Sequence, residues 1–393
     1  MKTAAMRTAF AAAFMAVLVG FAMPLVQKAH RAPDKKLSEN FPLKEFFVEL
    51  NGGASRLAGR RFVNEVYRTP RGMLLMEMKN SPEKLEKLAD VVAYFADWLA
   101  KRNIPYVYAQ APTKIDMEGR MLPPPLVNTG NEKADIFLAA AKERLVHTID
   151  LRRMLTATED DVMRYFYFTD HHWNNDAVFR VFRRLAPELV SAAGEDPAKA
   201  ATFLAPASWR RKVWRKCFMG TRAWRTGRFF GGVLDDAVAY TPRFKTKMTM
   251  TVPSRRIRHS GNFRNTVMWR SRTMQTIPEN GVRKDGYLSL YIGGMYDVVR
   301  HENRGAPVGK RLLIVGDSYV RPLQAMLSSI FTDILVLDQR RFSEGMSVAG
   351  FVEEFKPDLV LQLNNPSALG ISRDFADMRT SSSPPLFNYG DLK

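Results

Sequence analysis

Leu312–Gln324, LLIVGDSYVRPLQ, is the stretch from which the fold is read. Leu312 to Val315 are four consecutive apolar residues, the pattern of a short buried strand. Gly316-Asp317-Ser318 makes a turn, and a helix pattern with Pro322 near its start follows. A serine at such a corner sits at the carboxyl end of a strand and the amino end of a helix. Its own N–H is then among the first-turn donors that no helical carbonyl claims. That place suits a nucleophile whose oxyanion must be stabilised. Gly-Asp-Ser is also a common serine-capped turn, so the chain must supply a histidine and a carboxylate before Ser318 is read as a nucleophile.

Outward from this stretch the same grammar repeats. Downstream, Pro322–Ile330 reads as a helix, Ile334–Leu337 as a strand, Val348–Phe355 as a helix, and Leu359–Leu363 as a last strand ending at Asn364-Asn365. Upstream, Ser81-Pro82-Glu83 carries an N-cap and a first-turn proline ahead of Leu85, Leu88, Val92, Phe95 and Leu99 at helical spacing. Strand Tyr106–Ala111, helix Ala134–Leu145, strand His147–Leu151 and helix Ala177–Leu189 continue the alternation, and VYRTPRGMLL reads as two short strands about a Pro-Arg-Gly turn. Alternation of this kind predicts an α/β fold, a mostly parallel sheet between two helical layers, with ligands beyond the carboxyl ends of the strands.

The bulk composition narrows the class. The 393 residues include one cysteine, Cys217, which excludes an internal disulfide framework and any multi-cysteine metal site. The net charge of +19 favours polyanionic partners: nucleic acid, anionic lipid or acidic polysaccharide. The amino terminus helps to choose. Lys2 and Arg7 precede an apolar run of 18 residues, Ala9 to Val26, long enough to span a bilayer, and no clean cleavage site follows. We read residues 1–40 as a cytoplasmic stub, an uncleaved signal anchor and a linker, with the body exported; a cleaved, secreted form is the second choice. Lys28, Arg31, Lys35 and Lys36 pull toward a cytoplasmic body, but long domains translocate largely regardless of such charge. Export and the lack of a recognised module argue against nucleic acid as the partner.

The base is sought among six histidines, and two of them stand together in Asp170-His171-His172-Trp173. In an extended segment alternate side chains share a face, so Asp170 and His172 point the same way and His171 the other. A carboxylate can then hold one imidazole nitrogen while the other faces a hydroxyl. His172 is accordingly the expected base, with Asp170 as its partner. Two competing readings are a packed turn with hydrogen-bonded histidines and a metal site from Asp170, His171, His172 and Asp176. Adjacent histidines rarely converge on one ion, so neither metal nor cofactor is expected.

Several segments together resemble the DHHW family, related to the SGNH-like catalytic domains of alginate O-acetyltransferases. They are VYRTPRGMLL, YVYAQAPTK, FTDHHWNNDAV, FMGTRAW, LSLYIGGMYDVVRHENRGAPVGKRLLIVGDSY and KPDLVLQLNN, running from about Phe41 to Asn365. The resemblance implies an SGNH-like three-layer sandwich over residues 41–379, in which the Asp-x-His pair precedes the serine, with 380–393 a polar tail. It implies a triad of Asp170, His172 and Ser318, an acyl-serine intermediate, and O-acetyl transfer or ester hydrolysis on a cell-surface or secreted polysaccharide. The acetyl donor is left open, delivery by a membrane O-acyltransferase included. Gly220, Asn364 and Asn365 are candidate oxyanion donors and Arg321 a candidate substrate contact. The other reading of the same fold is a non-catalytic envelope module that binds glycan or a membrane partner.

Trp209 to Arg272, rich in arginine and tryptophan and without strong helical period, reads as a β-rich excursion near 205–275. Rings stack on sugar faces and arginines pair with carboxylates, so for an exported body an acidic glycan fits best. A solvated arginine surface over core tryptophans is the alternative.

Overall fold

The computed structural model describes residues 44–79, 85–268 and 290–369. The expected membrane anchor, the Ser81-Pro82 helix start, Trp269, Arg270, Arg272 and the polar tail lie outside the described residues. No helix among the described residues is long and apolar enough to cross a membrane.

Helix α1 (Lys44–Leu57) leads into a three-stranded antiparallel sheet, β1 (Phe62–Val63), β2 (Val66–Arg68) and β3 (Leu74–Met76). The last two are the strands expected about the Pro-Arg-Gly turn, with Tyr67 opposite Leu75. Then come α2 (Leu85–Ala100), β4 (Tyr106–Gln110), α3 (Gly130–Glu143), β5 (Thr148–Asp150) and α4 (Asn175–Ala192). Strands β6 (Trp209–Phe218), β7 (Asp235–Pro242), β8 (Met248–Val252), β9 (Ile257–Gly261) and β10 (Val298–Asn303) follow. The chain closes with β11 (Val308–Gly316), α5 (Val320–Leu327), β12 (Phe331–Leu337), α6 (Val348–Phe355) and β13 (Leu359–Asn364).

The main sheet has eight strands in the order β5-β4-β13-β11-β12-β10-β8-β9. The first five are mutually parallel; β10, β8 and β9 extend the edge antiparallel. Period-2 alternation splits each central strand between two cores. Leu312, Ile314, Leu361, Leu363, Ile334 and Val336 face a core shared with Val178, Phe182, Leu185 and Leu189 of α4 and Leu323 of α5. Leu313, Val315, Val360, Leu335 and Leu337 face the other way, toward Leu88, Val92 and Phe95 of α2, Phe137 of α3 and Phe351 of α6. Two apolar faces each covered by helices make the expected three-layer α/β arrangement.

The arginine- and tryptophan-rich stretch needs correcting as a single excursion. Strands β6 and β7 form a separate two-stranded ribbon, but β8 and β9 belong to the main sheet. Strand β10, which the sequence reading left unassigned, bridges them to β12 through antiparallel pairing on both sides. Alternation in VVRHEN is masked because its polar positions are buried too: His301 Nε2 meets Gln324 Oε1, and Asn303 Nδ2 donates to the Ser328 carbonyl.

Candidate active site

Parallel strands place the ends of β11, β13 and β4 along one edge, and the site lies there. Gly316 ends β11. A Cβ at this position would lie 2.4 Å from the Leu363 carbonyl oxygen and 2.5 Å from Val320, so only glycine lets the strand turn so tightly into α5. Asp317 is buried and does not face the reaction centre as a base. Its carboxylate accepts the N–H of Tyr319 at 2.9 Å and that of Asn365 at 2.8 Å, tying the corner to the end of β13. Burial raises its pKa, against the pull of those donors. Ser318 follows, buried, two residues ahead of α5.

Asp170-His171-His172 reaches this corner from 146 residues away. His172 Nε2 lies 2.7 Å from Ser318 Oγ, and His172 Nδ1 lies 2.5 Å from Asp170 Oδ1. A carboxylate can only accept, so the imidazole proton sits on Nδ1 and Nε2 is left to take the serine proton. Asp170 is held in turn. Its Oδ1 also accepts the His172 N–H at 3.0 Å, and its Oδ2 accepts the N–H and hydroxyl of Thr221 at 2.8 and 3.1 Å. Burial by itself would raise the Asp170 pKa, but the imidazoles and the Thr221 N–H hold it well below the ordinary carboxylate value.

The local backbone differs from the extended segment expected. Because the Asp170 side chain accepts the His172 N–H, the chain folds into a turn. His171 therefore does not point away: its ring lies 3.8 Å from that of His172, and its Nδ1 meets the Thr221 hydroxyl at 3.2 Å. Desolvation and the neighbouring imidazole both push its pKa down. Tyr319 closes the other side, donating from its hydroxyl to the His171 carbonyl at 2.7 Å, with its ring 5.2 Å from His172.

The wider brace comes from residues that sequence reasoning did not single out. Lys114 is buried and donates to the carbonyls of Leu74, Phe168 and Asp170, each at 2.8 Å. Burial pushes its pKa well below the usual lysine range. Asp235, at the start of β7, accepts the N–H groups of Phe168 and Thr169 at 2.5 and 2.8 Å. Arg222 donates to the Leu74 carbonyl at 2.9 Å, and burial lowers it to about 10. Lys114 stands in the quoted YVYAQAPTK and Thr221 and Arg222 in FMGTRAW, which is the signal that could have pointed to them.

The remaining candidates divide. Gly220 is not an oxyanion donor: its N–H is given to Thr169 Oγ1 at 2.7 Å. Its glycine is explained by close packing, since a Cβ there would lie 2.3 Å from Asp170 Cβ. Asn365 is also committed, its N–H to Asp317 and its Nδ2 to the Pro112 carbonyl at 2.8 Å. The Arg321 guanidinium donates to the Gly294 carbonyl, so it braces a loop. Asn364 differs. Tyr106 donates to Gln362 Oε1 at 2.5 Å, and Gln362 Nε2 donates to Asn364 Oδ1 at 2.8 Å. That relay fixes the amide with its oxygen satisfied and its NH2 carrying no protein partner among the described residues.

The ligand atoms of Asp170, His171 and His172 fall within 4.8 Å of one another, as a metal site requires. Their donors are otherwise engaged, since both His172 nitrogens face Asp170 and Ser318. Asp176, the fourth ligand of the metal reading, instead forms a two-pronged pair with Arg211 at 2.8 and 2.7 Å. These residues fit a proton relay better than an ion.

Residues 72–212 match the family model of the SGNH hydrolase-like domain of acetyltransferase AlgX. Over that range the chain resembles an SGNH hydrolase-like domain, consistent with its α/β fold and mostly parallel sheet. The matched range holds Asp170 and His172, while Ser318 lies beyond it. Among solved structures, PatB1 from Bacillus cereus is similar at 18% identity, over 77% of this chain and 96% of that one, with a TM-score of 0.63. A second PatB1 structure, carrying a sulfonyl adduct, gives 0.61. A DHHW family protein from Eubacterium siraeum is similar at 16% identity, over 81% of this chain and 98% of that one, with a TM-score of 0.57. At such identities these structures speak for the fold alone. No curated protein matches the chain by sequence. The resemblance drawn from DHHW and GDSY is thus borne out.

Proposed function

We propose that the chain is an extracytoplasmic O-acetyltransferase that moves an acetyl group through Ser318 onto a hydroxyl of a polysaccharide. The observation that carries this reading is His172, bridging Asp170 at 2.5 Å and Ser318 at 2.7 Å in a buried corner. The match to an acetyltransferase domain supports transfer over plain hydrolysis.

In the proposed sequence His172 Nε2 takes the Ser318 proton as Oγ attacks the acetyl carbonyl of the donor. The tetrahedral oxyanion is met by the Ser318 N–H, at the amino end of α5, and by the Asn364 NH2. Asp170 stabilises the imidazolium without taking its proton. His172 returns the proton to the leaving group, and the acetyl group remains on Oγ as an ester. A sugar hydroxyl then enters, gives its proton to His172 and attacks this ester. Collapse releases the O-acetyl sugar and restores Ser318–OH. Each oxyanion donor is worth roughly 3–4 kcal/mol of barrier.

We place the body outside the cytoplasm because of the apolar run Ala9–Val26, with delivery of the acetyl group by a membrane partner as the fitting supply. The test of the chemistry supplies a chromogenic acetyl ester to the protein and follows intact mass. Wild type should gain an acetyl group on Ser318, lost faster when a polysaccharide acceptor is added, and Ser318→Ala should not. Equal labelling of both, or of neither, would overturn the proposal and favour a binding module. A reporter fused to the carboxyl end would test the location independently.

A further inference from the structure

The β6–β7 ribbon carries a second feature that the acyl-transfer reading does not use. A groove of about 770 Å³ runs along it, lined by Arg210, Lys212, Arg243, Lys245, Arg264 and Trp214, with no carboxylate among its described lining residues. Strand alternation produces it. Arg210, Lys212 and Trp214 share one face of β6, and opposite them on β7 stand the small residues Thr241, Ala239 and Ala237. Long cationic side chains on one strand and short ones on its neighbour leave a trough.

The charge balance here is unlike that of the rest of the ribbon. Arg211 pairs with Asp176 and Arg215 with Asp236, each at 2.8 Å or less. The five groove cations have no acidic partner among the described residues, and all five are exposed. Five like charges in one depression repel one another, which an anionic ligand would relieve. Trp214 adds a ring of mixed character, with Lys212 Nζ 4.7 Å from its centroid. Trp209, by contrast, is core: its Nε1 donates to the Phe203 carbonyl at 2.7 Å, and its ring packs against Phe179, Phe182, Phe244 and Phe263.

We propose that this groove is a second binding site, for an anionic polysaccharide strand, and that it tethers the polymer at a distance from Ser318; the choice of polysaccharide rests on the acyl-transfer reading. Strand β7 joins the two places. Asp235 at its start holds the Asp170 segment, and Ala239 and Thr241 further along line the groove. At roughly 3.4 Å per residue the groove begins about 14 Å along the strand from Asp235. A monomer cannot reach both places, whereas a polymer can. Glycan is favoured over nucleic acid because single-strand sites stack successive bases on successive rings. The groove offers no such row: Phe263 is buried, and Trp214 and Phe244 are both half-buried against the core, Phe244 on Phe203 and Trp209.

The experiment measures binding of the full-length chain to polygalacturonate, dextran and a single-stranded oligonucleotide at low and high salt. Two triple variants carry the same net charge. One, R210Q/K212Q/K245Q, empties the groove; the other, K87Q/K101Q/K142Q, removes exposed charge from α2, its carboxyl end and α3. Wild type should bind polygalacturonate but not dextran, more weakly as salt rises. The groove triple should lose about tenfold in affinity and the control triple little. Thermal melting confirms that both fold. Equal loss in both triples, no loss in either, binding of dextran, or tighter binding of the oligonucleotide would overturn the proposal. Acetylation of Ser318 in the same preparations is read separately: acetylation without polymer binding sinks the groove alone, and binding without acetylation sinks the acyl-transfer reading.

Discussion

In the corner around Ser318 the charged side chains of Asp170, Lys114 and Asp235 are buried and answered by partners, whereas in the β6–β7 groove five cations stand in solvent with no carboxylate among the described lining residues. Asp170 alone accepts from His172 twice and from Thr221 twice. Lys114 gives its ammonium donors to three carbonyls. A buried ion left unpaired is costly, so the corner is rigid by necessity and its geometry is set before any substrate arrives. Exposed cations cost little, and they stay available for a ligand. On the proposed reading one region directs a proton and the other attracts a polymer.

If this contrast is right, deletions in the corner should be severe and graded by distance from the reacting atoms. Ser318→Ala removes the proposed nucleophile, and ester turnover should fall by roughly a millionfold, to the residual that binding and oxyanion donors sustain. Asp170→Asn leaves the shape but reverses the imidazole tautomer, and kcat should drop about ten-thousandfold. The same variant tests the electrostatics. Asp170 is held below its ordinary pKa in the folded state, so its contribution to stability is present above about pH 4 and is lost as pH falls through the lowered value. Melting temperatures measured against pH should show that acid-side loss in wild type and a flatter profile in Asp170→Asn.

Asn364→Ala should cost about a hundred- to a thousandfold in kcat with KM for a small ester little changed, since in the proposed mechanism its NH2 meets only the oxyanion. Thr221→Val removes one of two Thr221 donors to Asp170 Oδ2 and keeps the backbone one, so turnover should fall only about fivefold. At the far end of the scale, neutralising Lys87, Lys101 and Lys142 should leave ester turnover where it was. An effect of that triple as large as that of Thr221→Val would erase the distinction between placed and scattered charge.

How much of this was legible in the sequence follows from the range of each interaction. The strand-to-helix corner at Ser318 was legible because strand, turn and helix are contiguous, and Gly316 and Ser318 announce a tight turn. The pairing of Asp170 with His172 was legible at a spacing of two, although the turn made by the Asp170 side chain was not, and His171 was therefore placed on the wrong side. Gly220 was misread because its signal, a glycine before a short helix, is the same for an oxyanion donor and for close packing; its N–H bond to Thr169 Oγ1, and the 2.3 Å at which a Cβ there would meet Asp170 Cβ, separate them. Lys114 and Asp235 reach the site from 56 and 66 residues away in sequence, and no local pattern marks a lysine that will donate to three carbonyls. The tryptophans divided in the same way: Trp209 fills the core and Trp214 lines a groove, a difference that follows from which side of β6 each ring takes.

The central claim is that His172 activates Ser318, and covalent labelling with a fluorophosphonate probe tests it most directly. The probe should modify wild type at Ser318 and at no other serine, and the rate should collapse in His172→Ala while the melting temperature holds. Labelling of His172→Ala at the wild-type rate, or an adduct on a different residue, would contradict the account.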